Sequence, residues 1–141
     1  MLTNKNILET KQLTKVFPGV VAVNSMDFQV RPGEVHALLG ENGAGKSTFC
    51  KVLSGIYQPT NGQIFFGGHP VTVRSPHDAL ELGLSMVYQE RNLIGFLSGA
   101  ENICLGIESG HWEIIDKDGV IKAAAQIAAR IGADVDLSIP V

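Results

Sequence analysis

With 141 residues and a formal net charge of −3, the chain is long enough to bury one core and too acidic for a broad nucleic-acid-binding surface. Its two cysteines, Cys50 and Cys104, are too few for a disulfide framework and stand at no metal-ligand spacing, so both read as buried thiols. The longest charge-free run, residues 52–73, is broken by Pro59, Asn61, Gly62, Gly67, Gly68 and Pro70, which excludes a helix across a bilayer there. The first residues lead straight into a mixed strand with no apolar signal core, the pattern of a cytoplasmic chain.

Residues 7–17 read as a strand with imperfect alternation, and Pro18-Gly19 makes a turn. Residues 20–23 and 26–30 continue as strands around Asn24-Ser25, and Arg31-Pro32-Gly33-Glu34 is a second turn. The apolar run 35–39 suits a buried strand, with His36 in a structural role. Phe49, Val52 and Leu53 then form an apolar stripe on a helix from about Lys46 to Leu53, capped by Gly55. Residues 63–66 and 71–73 pair around Gly67-Gly68. Ser75-Pro76 opens a short helix that Gly83 ends, and residues 84–88 read as another strand. After a loop or broken helix at 93–99, residues 100–105 look helical. Asp116 caps the clearest helix, residues 117–131, whose apolar face is Val120, Ile121, Ala124, Ile127, Ala128 and Ile131.

Between the strand at 35–39 and the helix after it lies Gly40-Glu41-Asn42-Gly43-Ala44-Gly45-Lys46-Ser47-Thr48, a match to the phosphate-loop pattern at every fixed position. Gly40, Gly43 and Gly45 let the backbone curl with its N–H groups inward, and the following helix adds its positive end. Lys46 is placed for β- and γ-phosphates and the Ser47 hydroxyl for Mg²⁺. This is a nucleotide-phosphate site in an α/β chain.

The order of motifs resembles the ATP-binding subunit of an ABC transporter, over nearly the whole chain. The matching residues are the phosphate loop, Phe17 at the end of the first strand, and Gln89 after Met86-Val87-Tyr88. The wording of Lys15-Val16-Phe17-Pro18-Gly19-Val20, Pro59-Thr60-Asn61-Gly62-Gln63-Ile64 and Ala100-Glu101-Asn102-Ile103 is similar to the first ATP-binding domain of bacterial importers of ribose, galactose or xylose. Gly99 and Phe49-Cys50 depart from that branch. The resemblance implies a P-loop NTPase fold with an antiparallel β section plus a parallel core sheet. It implies that Phe17 stacks on adenine, and that Gln89 touches Mg²⁺ and the attacking water. It further implies a peripheral position at the cytoplasmic face of the membrane. The expected partners are a permease subunit reached through residues 89–106, a second ATP-binding domain and, indirectly, a periplasmic sugar-binding protein.

Three family elements have no counterpart in these 141 residues: the LSGGQ-type signature, the switch histidine, and the apolar strand ending in Asp-Glu, of which Ile114-Ile115-Asp116 is the nearest approach. The 141 residues therefore look like the N-terminal part of one ATP-binding domain. They are expected to be inactive in hydrolysis alone and to self-associate. An ABC-type ATPase without a membrane partner, acting in translation or DNA repair, and a phosphate-loop kinase are the other readings. The β section before the loop argues against the kinase.

Overall fold

The first strand, β1 (Leu8–Phe17), alternates inward and outward only as far as Thr10; the next buried residue is Leu13, three positions on. The reason is a bulge. Thr10 pairs with Phe28 and Leu13 with Met26, so two residues of β1 oppose one of β2 (Val20–Val30), and Gln12 takes φ 49°. Its freed amide donates to Asp27 Oδ1 at 2.6 Å. The imperfect alternation in the sequence is this bulge. β2 is one continuous strand where two pieces are expected, because Ser25 at φ 44° is absorbed as a second irregularity and its amide donates to Thr14 Oγ1 at 3.0 Å.

The computed structural model describes residues 6–88, 93–106, 110–111 and 114–141, in two compact units, 1–87 and 88–141. In the first unit, α1 (Lys46–Leu53) follows the phosphate loop, and β3 (Asn61–Phe66) and β4 (His69–Val71) complete an antiparallel sheet of order β2-β1-β3-β4. Phe49 and Val52 of α1 are buried among Leu8, Leu13, Val23 and Ile64. Cys50, on the same helix, is only half-buried, so the expectation of a buried thiol fails there and holds at Cys104. Helix α2 (Pro76–Glu81) starts as read, with Ser75 Oγ accepting from the Asp78 amide at 3.2 Å.

The expected strands at 35–39 and 84–88 are not formed. Neither makes a ladder hydrogen bond among the described residues, and Val35, Leu39 and Val87 are 99%, 88% and 95% exposed. An apolar strand is stable only against a neighbour. In the family this sequence resembles, the Asp-Glu strand lies between these two, and no strand occupies that place among the described residues. Apolar segments with unpaired backbone invite pairing with another chain. We therefore expect the 141-residue chain to self-associate at micromolar concentration, measured by light scattering. A monomer with one cooperative unfolding transition is the contrary result.

The second unit holds α3 (Gly99–Cys104), a two-stranded pair β5 (Gly110–His111) and β6 (Ile114–Ile115), and α4 (Lys117–Arg130). Ser98 and Glu101 form a capping box on α3, whose hydrogen bonds from the Ser98 amide and hydroxyl hold the Glu101 carboxyl below its ordinary range. The helices meet through Ala100, Cys104, Val120 and Ala124. Half of the expected α4 face is buried: Val120, Ala124 and Ala128 are inside, whereas Ile121, Ile127 and Ile131 are exposed. Gly99, unexpected on sequence grounds, has a reason here: the Leu137 backbone passes against it, and its amide donates to Ile139 O at 3.0 Å.

Candidate nucleotide-binding site

The loop between residue 40 and α1 is shaped by two left-handed glycines, Gly43 at φ 87° and Gly45 at φ 85°. The Ala44 amide closes a turn on Glu41 O at 3.1 Å. Gly45 is the N-cap of α1, so no side chain satisfies the first-turn amides, and the helix carries no acidic residue there. The amides of Gly45, Lys46, Ser47 and Thr48 make no hydrogen bond among the described residues, and the first helical bond is Phe49 N to Gly45 O at 2.8 Å. Orphan N–H groups at a helix start, with the helix dipole behind them, attract an anion.

Lys46 brings the cation. Its Nζ donates to Gly40 O at 2.7 Å and Glu41 O at 2.8 Å, which folds the ammonium back onto the start of the loop. The Ser47 hydroxyl is exposed and makes no side-chain hydrogen bond among the described residues. A hydroxyl left open beside a phosphate-binding loop fits Mg²⁺, which takes few protein ligands and completes its shell from phosphates and water.

The loop sits where it does because of β2. Lys15 pairs with Val23 and Val16 with Val21, so Ala22 is bulged out of the ladder and its carbonyl turns toward the loop. That carbonyl lies so close to Gly45 Cα that any Cβ on residue 45 would overlap it. A cavity of about 530 Å³ opens alongside, lined by Val21, Ala22, Val23, Leu38, Leu39, the loop and Phe49. The contribution of β2 was not foreseen from sequence; its only trace there is a glycine at 45 that tolerates a close backbone.

Phe17 lies at the hairpin end of the same two strands, paired with Val20, and outside that cavity's lining. Its ring meets Tyr57 edge-on, with centroids 5.2 Å apart at 79°. The loop residues and Phe17 are thus together in the first unit. Gln89, expected to touch metal and water, lies outside the described residues. His36 is exposed rather than buried in a strand; its ring packs on Phe28 at 4.7 Å and its Nδ1 is 3.3 Å from Glu34 Oε1. The Arg31 amide holds the Glu34 carboxyl below its usual range.

The family profile for ABC transporters matches residues 23–138, which takes in the phosphate loop, most of the first unit and nearly all of the second. The chain belongs to the ABC transporter family. Within that family it is similar to a ribose import ATP-binding protein of Rubrobacter xylanophilus, 49% identical over 92% of this chain and 26% of that protein. A ribose import ATP-binding protein of Burkholderia thailandensis is 48% identical over 96% of the chain and 27% of its own length. This ABC-family chain therefore spans about a quarter of the length of the curated relatives it matches. Among solved structures, cbiO1 from Clostridium perfringens, part of an ABC transporter complex, has a TM-score of 0.69 at 25% identity, over 97% of this chain and 55% of that one. A nucleotide-free ATP-binding cassette from an ABC transporter scores 0.74 at 25% identity, over 90% and 54%. The fold is that of part of an ABC ATP-binding domain: the antiparallel β section and helices that the resemblance implies are present, whereas no parallel strand pair of the expected core sheet forms among the described residues. No helix among the described residues is long and apolar enough to cross a membrane.

Proposed function

We propose that this chain binds the triphosphate of ATP in the loop Gly40-Glu41-Asn42-Gly43-Ala44-Gly45-Lys46-Ser47-Thr48, as part of the energising subunit of an importer of ribose or a related sugar. The observation that carries this reading is the set of unpaired amides at the start of α1, together with a Lys46 ammonium held on the same loop by its carbonyls. The import ATP-binding names of the relatives support the biological setting. Gly43, Gly45, Lys46, Ser47 and Thr48 contribute amides to the β-phosphate, and Glu41, Asn42 and Ala44 space the turn. Lys46 moves from its carbonyl partners onto the β- and γ-phosphate oxygens, exchanging two neutral acceptors for charged ones. Mg²⁺, held through Ser47 and in this reading Gln89, would neutralise charge between those phosphates.

In the whole protein, Gln89 orients the attacking water and residues 89–106 meet the permease. A second ATP-binding domain completes the site, and a periplasmic sugar-binding protein delivers the cargo on the other side. The subunit lies at the cytoplasmic face of the membrane. Hydrolysis needs a base and a signature that these 141 residues do not contain, so the chain by itself binds ATP without turnover.

Phe17 is the base platform in this reading. Stacking on an aromatic side chain is worth about 1–3 kcal/mol and tolerates different bases. Phe17→Ala weakens ATP and GTP together by about 5- to 100-fold, and Phe17→Tyr is near neutral. Calorimetric titration of each variant checks this. Alanine binding ATP as tightly as phenylalanine removes Phe17 from the site.

A further inference from the structure

We propose that Lys15 and Tyr57 are positioning residues that hold the Phe17 ring in one orientation for the nucleotide base. The inference rests on the assignment of Phe17 as the base platform. Phe17 needs such help. It closes a hairpin beside the Pro18-Gly19 turn, and its neighbours Val16 and Val20 are 41% and 55% exposed, so the hairpin end is open to solvent around it.

The restraint comes from the opposite side. Tyr57 packs against the main core cluster, and its backbone is tied to α1 by its amide, which donates to Lys51 O at 3.1 Å. The Phe17 and Tyr57 rings are perpendicular within 11° (90° minus the 79° observed), the edge-to-face geometry that aromatic pairs favour. Lys15, two residues before Phe17 and on the same strand face, places its Nζ 5.0 Å from the Phe17 centroid and 5.8 Å from that of Tyr57. The same Nζ donates to Gln58 O at 2.8 Å, which anchors the ammonium to the segment carrying Tyr57. The Phe17 ring is thereby engaged by both a cation and an aromatic, each restrained by the segment at residues 57–58. A ring already set in its bound rotamer loses less freedom when the base arrives, which raises affinity without a new contact to the nucleotide.

A role confined to hairpin stability predicts equal losses for all ligands, whereas ring positioning predicts a loss only where a base is present. The 141-residue chain is titrated with MgATP and with Mg-tripolyphosphate, which has the charge and no base. Tyr57→Ala and Lys15→Met are expected to weaken ATP about two- to tenfold, the range spanned by a lost aromatic pair or cation–π contact, and to leave tripolyphosphate unchanged. Tyr57→Phe and Lys15→Arg retain wild-type ATP affinity, and neither loss adds to that of Phe17→Ala. Unchanged ATP binding in both Tyr57→Ala and Lys15→Met, equal loss of ATP and tripolyphosphate, or full additivity with Phe17→Ala each overturns the inference. Should Phe17→Ala itself leave ATP binding intact, the base-platform assignment fails and this inference with it. A wild-type chain that binds neither ligand defeats the phosphate-loop reading as well.

Discussion

Replacing Gly45 by alanine is expected to abolish nucleotide binding and to destabilise the first unit. Residue 45 is at φ 85°, where an L-residue with a Cβ is strained by roughly 1–2 kcal/mol. Its Cβ would also overlap the Ala22 carbonyl, a backbone atom flanked by Val21 and Val23, which the β1–β2 ladder holds, and unable to swing aside as a side chain would. The loop has to move off β2, and the amides of Lys46, Ser47 and Thr48 move with it. A hydrogen bond to a charged group is worth about 1.5–3 kcal/mol, so losing even one to phosphate weakens ATP about 10- to 100-fold. Thermal unfolding and ATP titration of Gly45→Ala check the two halves separately. Alanine matching glycine in both would mean that the contact with Ala22 sets nothing.

Lys46→Ala carries the second large effect. The ammonium belongs to the first residue of α1, and its hydrogen bonds to Gly40 O and Glu41 O tie the loop to itself. Removing it costs the charge-assisted phosphate contacts, about 1.5–3 kcal/mol, or 10- to 100-fold in affinity. The loss is independent of the base, so ATP, GTP and tripolyphosphate fall together, unlike the pattern expected at Phe17 and Tyr57. It also shrinks at high salt, because part of the attraction is screened. Lys46→Met keeps most of the aliphatic stem and separates loss of charge from loss of packing. Equal affinities for wild type and both variants would remove Lys46 from the site.

The backbone of the candidate phosphate loop was legible from residue order because such a loop is a local device. Glycines at fixed offsets, a lysine and a hydroxyl leave few alternatives once a helix stripe follows. Helix ends were legible for the same kind of reason: Ser75 and Asp116 cap through their own side chains, and Gly55 and Gly132 through their own backbone, within a turn of where they stand. What stayed hidden depends on partners distant in sequence. The bulges at Gln12 and Ala22 follow from the register of β1 against β2, and non-glycine residues at positive φ leave no compositional trace. Half-burial of Cys50 depends on which side of α1 the sheet covers. The apolar runs at 35–39 and 84–88 have the pattern of buried strands but no ladder among the described residues, since a strand's structure belongs to its neighbours as much as to itself.

Hydrogen exchange of the 141-residue chain, with and without MgATP, tests the central claim most directly, because it reports where the nucleotide sits as well as whether it binds. The account predicts slowed exchange in peptides covering residues 40–53, where the α1 amides gain an acceptor, with a smaller effect around Phe17. It also predicts that Lys46→Ala removes the effect. Protection that falls elsewhere, on the polar face lined by Glu9, Lys11 and Gln63 for instance, or that persists unchanged in Lys46→Ala, would contradict it.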